Sequence, residues 1–65
     1  MPPTLPLVIR TARQRAGLTQ RQLADAIGVG QPSICHIERG RSTPTLPHAA
    51  ALVRTLKLDP RELLR

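Results

Sequence analysis

The sequence predicts an all-α fold, a compact domain of five short helices. Three observations support this prediction. Apolar residues recur with the 3.6-residue period of a helix, glycine follows three of the periodic stretches, and no stretch alternates as a strand does. The chain has 65 residues, which leaves room for one domain and one modest core, and that core is aliphatic because Phe, Tyr and Trp are absent.

The first helix is expected to begin at Leu5, after a flexible N-terminal arm formed by residues 1–4. Pro6 suits the first turn of this helix, where a missing N–H costs nothing, and Gly17 suits its end. The single domain that follows the arm is expected to span residues 5–65. The apolar stripe of the first helix consists of Leu5, Val8, Ile9, Ala12 and Ala16.

The second helix lies between a capping residue and a glycine. Thr19 can cap its start, and Leu23, Ala24 and Ile27 then fall on one face. Gly28 ends the helix, because glycine adopts the left-handed backbone conformation without a steric cost. These signals predict a helix that is about two turns long.

The third helix is expected to begin near Gln31, because Pro32 fits only the first turn of a helix. Ile34 and Ile37 share its buried face, and Gly40 closes it. The first turn of this helix therefore directs small and polar groups outward. Two short helices joined by a tight turn, the second opening with polar side chains, have the layout of a helix-turn-helix DNA reader.

A polar connector at residues 41–44 precedes the last two helices, and Thr45 can cap the fourth. A fifth helix is expected after Asp59, with Pro60 at its first position and Glu62 completing a capping box. Two leucines then pack back on the domain, Leu63 and Leu64. The apolar stripe of the fourth helix consists of Leu46, Ala49, Ala50, Leu52, Val53 and Leu56.

The charge of the chain indicates a polyanionic partner. The formal net charge is +6 at pH 7, and nine of the ten basic residues are Arg, which grips phosphates and base edges with two hydrogen bonds. The alternative is that the excess of Arg reflects only GC-rich coding and surface solubility. The absence of aromatic residues disfavours single-strand binding, which usually depends on base stacking.

Several other classes of protein are disfavoured. A single Cys excludes an internal disulfide, and no stretch has the roughly 18 apolar residues of a membrane span. Residues 1–6 do not resemble a signal peptide. We therefore expect a cytoplasmic protein. Cys35, His36 and His48 lack a fourth ligand and a recognised metal-site spacing. No nucleophile has an evident base. We therefore expect no enzyme, no metal and no cofactor.

Residues 5–64 resemble the Cro/C1-type (XRE) helix-turn-helix domain of lambdoid phage repressors, Cro proteins, restriction controller proteins and many antitoxins. The resemblance implies the five-helix, lambda-repressor-like fold, with its second and third helices forming the helix-turn-helix. The motifs that support it are Ile9-Arg10 with Arg13, Gly17-Leu18-Thr19-Gln20, Leu23-Ala24, Ile27-Gly28-Val29, and Ile34 with Ile37-Glu38-Arg39-Gly40.

The resemblance also implies roles for individual side chains. The pair Arg13 and Glu38 matches a partly buried ion pair between the first and third helices. The side-chain amide of Gln20 and the start of the second helix match a phosphate contact. Base edges in the major groove would be contacted by Gln31, Pro32, Ser33, Cys35 and His36. Phosphates would be contacted by Thr19, Gln20, Arg39, Arg41, Ser42 and Thr43.

The chemistry of each base-contact candidate leaves an alternative open. The amide of Gln31 can bond N6 and N7 of adenine, and His36 can donate to guanine or to a phosphate, yet both could be ordinary solvated side chains. Cys35 could touch a thymine methyl or be only a small residue facing the groove. Four positions depart from the family pattern. Gly30 replaces the usual Ser or Thr cap, and Lys57 replaces the Gly that usually ends the fourth helix, which predicts a different bend there. Ala49 and Val53 resemble an exchange of a small for a large and a large for a small side chain in the core.

Together these features predict a sequence-specific transcriptional regulator, expected to be a repressor, that binds a pseudo-palindromic operator as a homodimer. Blocking a promoter would repress transcription and a contact with polymerase would activate it, and the sequence does not choose between the two. A dimer surface would come from Leu58, Leu63 and Leu64, although core packing explains these leucines equally well. RNA polymerase or a toxin is a further protein partner to consider. The alternatives are an antitoxin that represses its own operon, and a membrane-surface module, which the glycine interruptions disfavour.

Overall fold

The computed structural model describes residues 4–58, and within that range the chain forms four α-helices. The all-α class is confirmed for these residues. The predicted fifth helix and arm residues 1–3 lie outside the described residues. The helices are α1 (Thr4–Arg15), α2 (Gln20–Ile27), α3 (Gln31–Glu38) and α4 (Leu46–Leu56).

The boundaries of α2 and α3 agree with those predicted, whereas α1 begins one residue early. Thr4 was assigned to a flexible arm, but its backbone is already helical. Pro6 remains in the first turn of α1, where its missing N–H leaves no hydrogen bond unmade. The helix therefore begins one residue before the position that the sequence predicts.

One large apolar side chain from each helix is completely buried at the centre of the domain. These four side chains are Ile9, Leu23, Ile34 and Leu52. Other members of the core come mainly from α2 and α3, and no polar or charged residue in the described range is fully buried. The core residues are Ile9, Leu23, Ala24, Ile27, Ile34, Ile37, Leu52 and Leu56.

Three residues of the predicted apolar stripes are exposed. Leu46 is 87% exposed because it is the first residue of α4, next to the exposed connector, where the helix has not yet reached the core. Ala16 lies in the turn after α1 and Ala50 lies on the outer side of α4, and both are exposed. The helical period therefore extended the buried stripe too far at the end of α1 and the start of α4, and in the middle of α4 it selected Ala50, whereas Ala51 is the residue that packs against the core.

The turn between α2 and α3 is held by backbone conformation and hydrogen bonds. Gly28 adopts φ 80° and ψ 31°, the left-handed region that favours glycine, and the N–H of Val29 donates to the carbonyl of Ala24 at 2.9 Å. Gly30 then starts α3 in an extended conformation and supplies no side-chain cap, as predicted. This turn sets the position of α3 on α2.

The end of α4 differs from the prediction. Lys57 was expected to bend the chain differently from glycine, but it adopts φ 55° and ψ 45°, the conformation in which a glycine usually ends a helix. The N–H of Leu58 donates to the carbonyl of Val53 at 3.0 Å and closes the turn. Leu58 is half-buried against the core, while Leu63 and Leu64 lie outside the described residues.

Candidate nucleic-acid interface

The side of α3 that turns away from the core displays the predicted base-contact residues. Ile34 and Ile37 are buried and hold the helix against α1 and α2. Cys35 is half-buried, and the remaining candidates are exposed. The exposed candidates are Gln31, Pro32, Ser33 and His36.

The start of α2 presents backbone N–H groups close to the start of α3. A capping box fixes this end: Thr19 Oγ1 accepts from the N–H of Gln22 at 3.0 Å, and Gln22 Oε1 accepts from the N–H of Thr19 at 2.8 Å. The box leaves the N–H groups of Gln20 and Arg21 directed out of the helix. Such a helix start favours an anion, and the exposed Arg21 side chain adds a positive charge beside it.

A chain of side-chain hydrogen bonds joins α3 to α2 at this point. Gln31 Nε2 donates to Gln20 Oε1 at 2.7 Å, and Gln20 Nε2 donates to Glu38 Oε1 at 3.2 Å. Gln20 is half-buried, and both ends of its amide are bonded within the protein. The side chain of Gln20 therefore connects α2 to α3, a role that the sequence did not predict. The group of Gln20 that is left for a phosphate is chiefly its backbone N–H.

The other end of this chain is an ion pair between α1 and α3. Arg13 Nε donates to Glu38 Oε2 at 2.6 Å and Arg13 Nη2 donates to Glu38 Oε1 at 3.1 Å, a two-pronged geometry that is among the strongest available to these groups. Arg13 Nη1 also donates to the carbonyl of Leu18 at 2.8 Å. The Glu38 side chain is only 4% exposed and that of Arg13 13%, so water screens the pair weakly.

The loop after α3 contains the remaining predicted phosphate contacts, all of them exposed. The N–H of Arg41 donates to the carbonyl of His36 at 2.9 Å, so the backbone of this loop is attached to the last turn of α3. Gly40 adopts φ 73° and packs near Pro6, which places the loop beside the start of α1. The exposed loop residues are Arg39, Arg41, Ser42 and Thr43.

The charge around α2 and α3 is mostly positive. A shallow cleft between the starts of the two helices is lined by Arg21, with Asp25 as an acidic neighbour. Glu38, the other acidic residue in the described range, is already paired with Arg13. Arg39 and Arg41 extend the positive surface past the end of α3. This distribution suits contact with phosphates on both sides of an inserted helix.

Within residues 4–58, no cluster of three or more His, Cys, Asp or Glu side chains is placed to hold a metal ion. In the same range no helix is both long enough and apolar enough to cross a membrane.

Comparisons with known proteins place this arrangement in a family. The family model described as helix-turn-helix matches residues 9–63. The chain belongs to the helix-turn-helix family. The match confirms the resemblance to Cro/C1-type domains that was recognised from the motifs around Thr19, Gly28 and Glu38.

Two relatives of this helix-turn-helix protein share 41% sequence identity with it, and each is named an uncharacterized HTH-type transcriptional regulator. The relative from Methanothermobacter thermautotrophicus aligns over 49 residues, 75% of this chain and 71% of that protein. The relative from Haemophilus influenzae aligns over 54 residues, 77% of this chain and 55% of that protein. The chain thus corresponds to little more than half of the second relative.

A solved structure has the same fold. The restriction-modification controller protein C.AhdI from Aeromonas hydrophila superimposes with a TM-score of 0.83 and 30% sequence identity, over 92% of this chain and 91% of that protein. The names of these three proteins favour a regulator, and none of them mentions an antitoxin.

Proposed function

We propose that this helix-turn-helix protein is a transcriptional regulator that binds a specific double-stranded DNA operator with α3 in the major groove. The observation that supports this most strongly is the amide of Gln31, which is exposed at the start of α3 and held by Gln20. A glutamine amide can bond both N6 and N7 of adenine. An exposed amide that is already oriented loses little side-chain entropy on binding.

The proposed base contacts use different chemistry along α3. Pro32 and the half-buried Cys35 suit an apolar contact with a thymine methyl, and His36 can donate to guanine or to a phosphate. The full set of proposed base contacts is Gln31, Pro32, Ser33, Cys35 and His36. Phosphate contacts are proposed for the start of α2 and the loop after α3, namely Thr19, the backbone N–H of Gln20, Arg39, Arg41, Ser42 and Thr43.

A homodimer on a pseudo-palindromic operator is part of this proposal. The eight residues of α3 span about 12 Å, so one copy reaches only a few base pairs. The longest dimension of the described domain is 28 Å, which is shorter than one turn of DNA, about 34–36 Å. Two copies can therefore occupy adjacent turns on one face of the duplex. Bound across a promoter in the cytoplasm, such a dimer would repress transcription by blocking polymerase.

The test is selection of the purified protein against a randomised duplex library, followed by titration of the selected site over a series of salt concentrations. We expect an inverted repeat whose half-sites lie one helical turn apart. Binding that is salt-sensitive but selects no sequence would reject the proposal of a specific operator.

Two variants separate base contacts from phosphate contacts. Gln31→Ala should weaken binding to the selected site by about 1–3 kcal/mol and leave binding to unrelated duplexes nearly unchanged. Arg41→Ala should weaken binding to every duplex and reduce the salt slope by about 1. Arg54→Ala is the matched control, because Arg54 is exposed on α4 and is not among the proposed contacts. An equal loss on all duplexes for Gln31→Ala would exclude a base contact.

A further inference from the structure

We propose that an apolar face of α4, formed by Leu46, Ala49, Ala50 and Val53, pairs with the same face of a second copy of the chain when both copies lie on the operator. This inference rests on the proposed function, because it names the surface through which two DNA-bound copies meet. It differs from the dimer surface expected from the sequence, of which Leu58 is half-buried against the core.

The helix α4 has a second apolar stripe besides the one that enters the core. Leu52 and Leu56 are its buried residues. Positions 46, 49, 50 and 53 are spaced three and four residues apart, so they form a separate stripe about a third of the way round the helix from Leu52. A surface helix that serves only the core of its own domain has polar residues on its other sides. The second stripe of α4 therefore indicates a second partner.

Within residues 4–58, this second stripe lies outside the core. Leu46 is 87% exposed, and Ala50 is exposed as well. Ala49 and Val53 are half-buried, but neither is among the apolar side chains that pack against the core. The stripe is therefore apolar surface that another helix can cover.

The shape of the stripe suits an antiparallel copy of itself. A two-fold axis that passes between the alanines of the two copies lets the helices approach closely, because these side chains are small. Leu46 of each copy then lies beside Val53 of the other, so that a large side chain meets a medium-sized one at both ends. The same patch on both partners is what a two-fold symmetric interface requires.

The charge of α4 favours the same arrangement. The helix contains no Asp or Glu, and its two positive side chains, Arg54 and Lys57, lie at its C-terminal end. Its 11 residues span about 16 Å, which exceeds the Debye length of about 8 Å at physiological salt. Antiparallel pairing thus keeps the positive ends apart, whereas parallel pairing would bring them together.

The size of the face predicts that the two copies pair on DNA and not in free solution. One side of α4 measures about 16 Å by 10 Å, far less than the roughly 800 Å² that each partner buries in a stable interface. Adjacent half-sites hold two copies at a high effective concentration, so a weak contact is sufficient there. The helices α3 and α4 each pack mainly on α1 and α2 and have little contact with each other. Pairing through α4 therefore leaves α3 free to enter the major groove.

The test compares the selected inverted repeat with a duplex in which one half-site is replaced by unrelated sequence. Occupation of one half-site should tighten native binding to the other by about 5- to 150-fold. Ala50→Arg places two long, positively charged side chains at the axis and should abolish this cooperativity. Leu46→Gln should reduce it without changing the charge.

Ala16→Arg is the matched control, because it adds the same charge at an exposed alanine in the turn after α1. It should keep the native cooperativity. Both arginine variants should bind the single half-site at least as tightly as native protein, since an added positive charge favours contact with DNA. A loss of affinity that is confined to the inverted repeat can then be assigned to the contact between copies.

Two measurements without DNA complete the test. Sedimentation of the free protein at micromolar concentration should show a monomer. The midpoint of thermal unfolding of Ala50→Arg should be close to that of native protein, because the substitution is made on an open surface. A large loss of stability would show that residues 59–65 of the same chain cover the stripe, and would overturn the inference.

Three other results would also overturn it: a dimer in the absence of DNA, a selected site with only one half-site, or cooperativity that Ala50→Arg leaves intact. Failure to select any sequence would instead contradict the proposed function. The two failures are therefore distinguishable.

Discussion

Removing Arg13 should cost this domain a large part of its stability. In Arg13→Met the stem is kept but the guanidinium is lost, and with it two hydrogen bonds to Glu38 and one to the carbonyl of Leu18. The Glu38 side chain is 4% exposed and would keep only the 3.2 Å hydrogen bond from Gln20. Leaving a buried charge without its partner costs about 3–5 kcal/mol.

That cost is large for a domain of this size. At about 0.05–0.15 kcal/mol per residue, 65 residues give a free energy of unfolding of about 3–10 kcal/mol. Urea denaturation at 25 °C, followed by circular dichroism at 222 nm, measures the change. Arg10→Met removes an exposed Arg from the same helix and should change the free energy of unfolding by less than about 0.5 kcal/mol.

The double variant Arg13→Met with Glu38→Leu tests the physical reason. Because an apolar pair of similar volume leaves no buried charge, it should recover most of the stability that Arg13→Met loses. A loss below about 1 kcal/mol for Arg13→Met would show that Glu38 finds water or another partner. If the double variant were less stable than Arg13→Met, the hydrogen bonds of the ion pair would themselves stabilise the domain, and the cost of an unpaired charge would not be the main reason for the loss.

Two further predictions concern the backbone at helix ends. Lys57→Gly should raise the midpoint of thermal unfolding by about 2–8 °C. The left-handed conformation at φ 55° costs a non-glycine residue about 1–2 kcal/mol, and glycine avoids this cost. Part of the gain is lost because glycine also has more conformational entropy in the unfolded state. A lower midpoint would contradict this. Gly30→Ser should raise it by about 1–3 °C, because φ −79° suits serine and its Cβ would meet Pro32 at 3.5 Å, an ordinary contact. The serine hydroxyl can share the N–H of Ser33, which now donates to the carbonyl of Gly30 at 3.0 Å. Any destabilisation by Gly30→Ser would show that this turn requires glycine.

Local signals in the sequence were sufficient for α2 and α3. Thr19 caps the start of α2, Gly28 ends α2, and Pro32 marks the start of α3. Each acts on the backbone within a few residues of its own position, so these helix ends could be predicted without knowing the fold. Exposure at the ends of helices depends instead on which elements lie nearby. Leu46 fits the period of α4, but no neighbouring element covers the start of that helix.

The candidate site shows the same division. The outward residues of α3 follow from its period and its family, but Gln20 was assigned to a phosphate because its position in the family suggests it. Its partners Gln31 and Glu38 are 11 and 18 residues away, and periodicity within one helix contains no information about such pairs. The conformation of Lys57 was also missed. Its residue type disfavours positive φ, whereas the chain turns there, and the N–H of Leu58 then bonds to the carbonyl of Val53, five residues earlier in the chain.

The charge of Glu38 affects stability through its partner, because it is paired while Arg13 is present and buried alone once Arg13 is removed. The double variant with Met at position 13 and Leu at 38 removes both charges, so it should fold. Neither position is among the proposed DNA contacts, so the double variant should also keep its affinity for the selected operator. A double variant that folds but no longer binds the operator would show that this ion pair positions α3 for DNA as well as stabilising the domain.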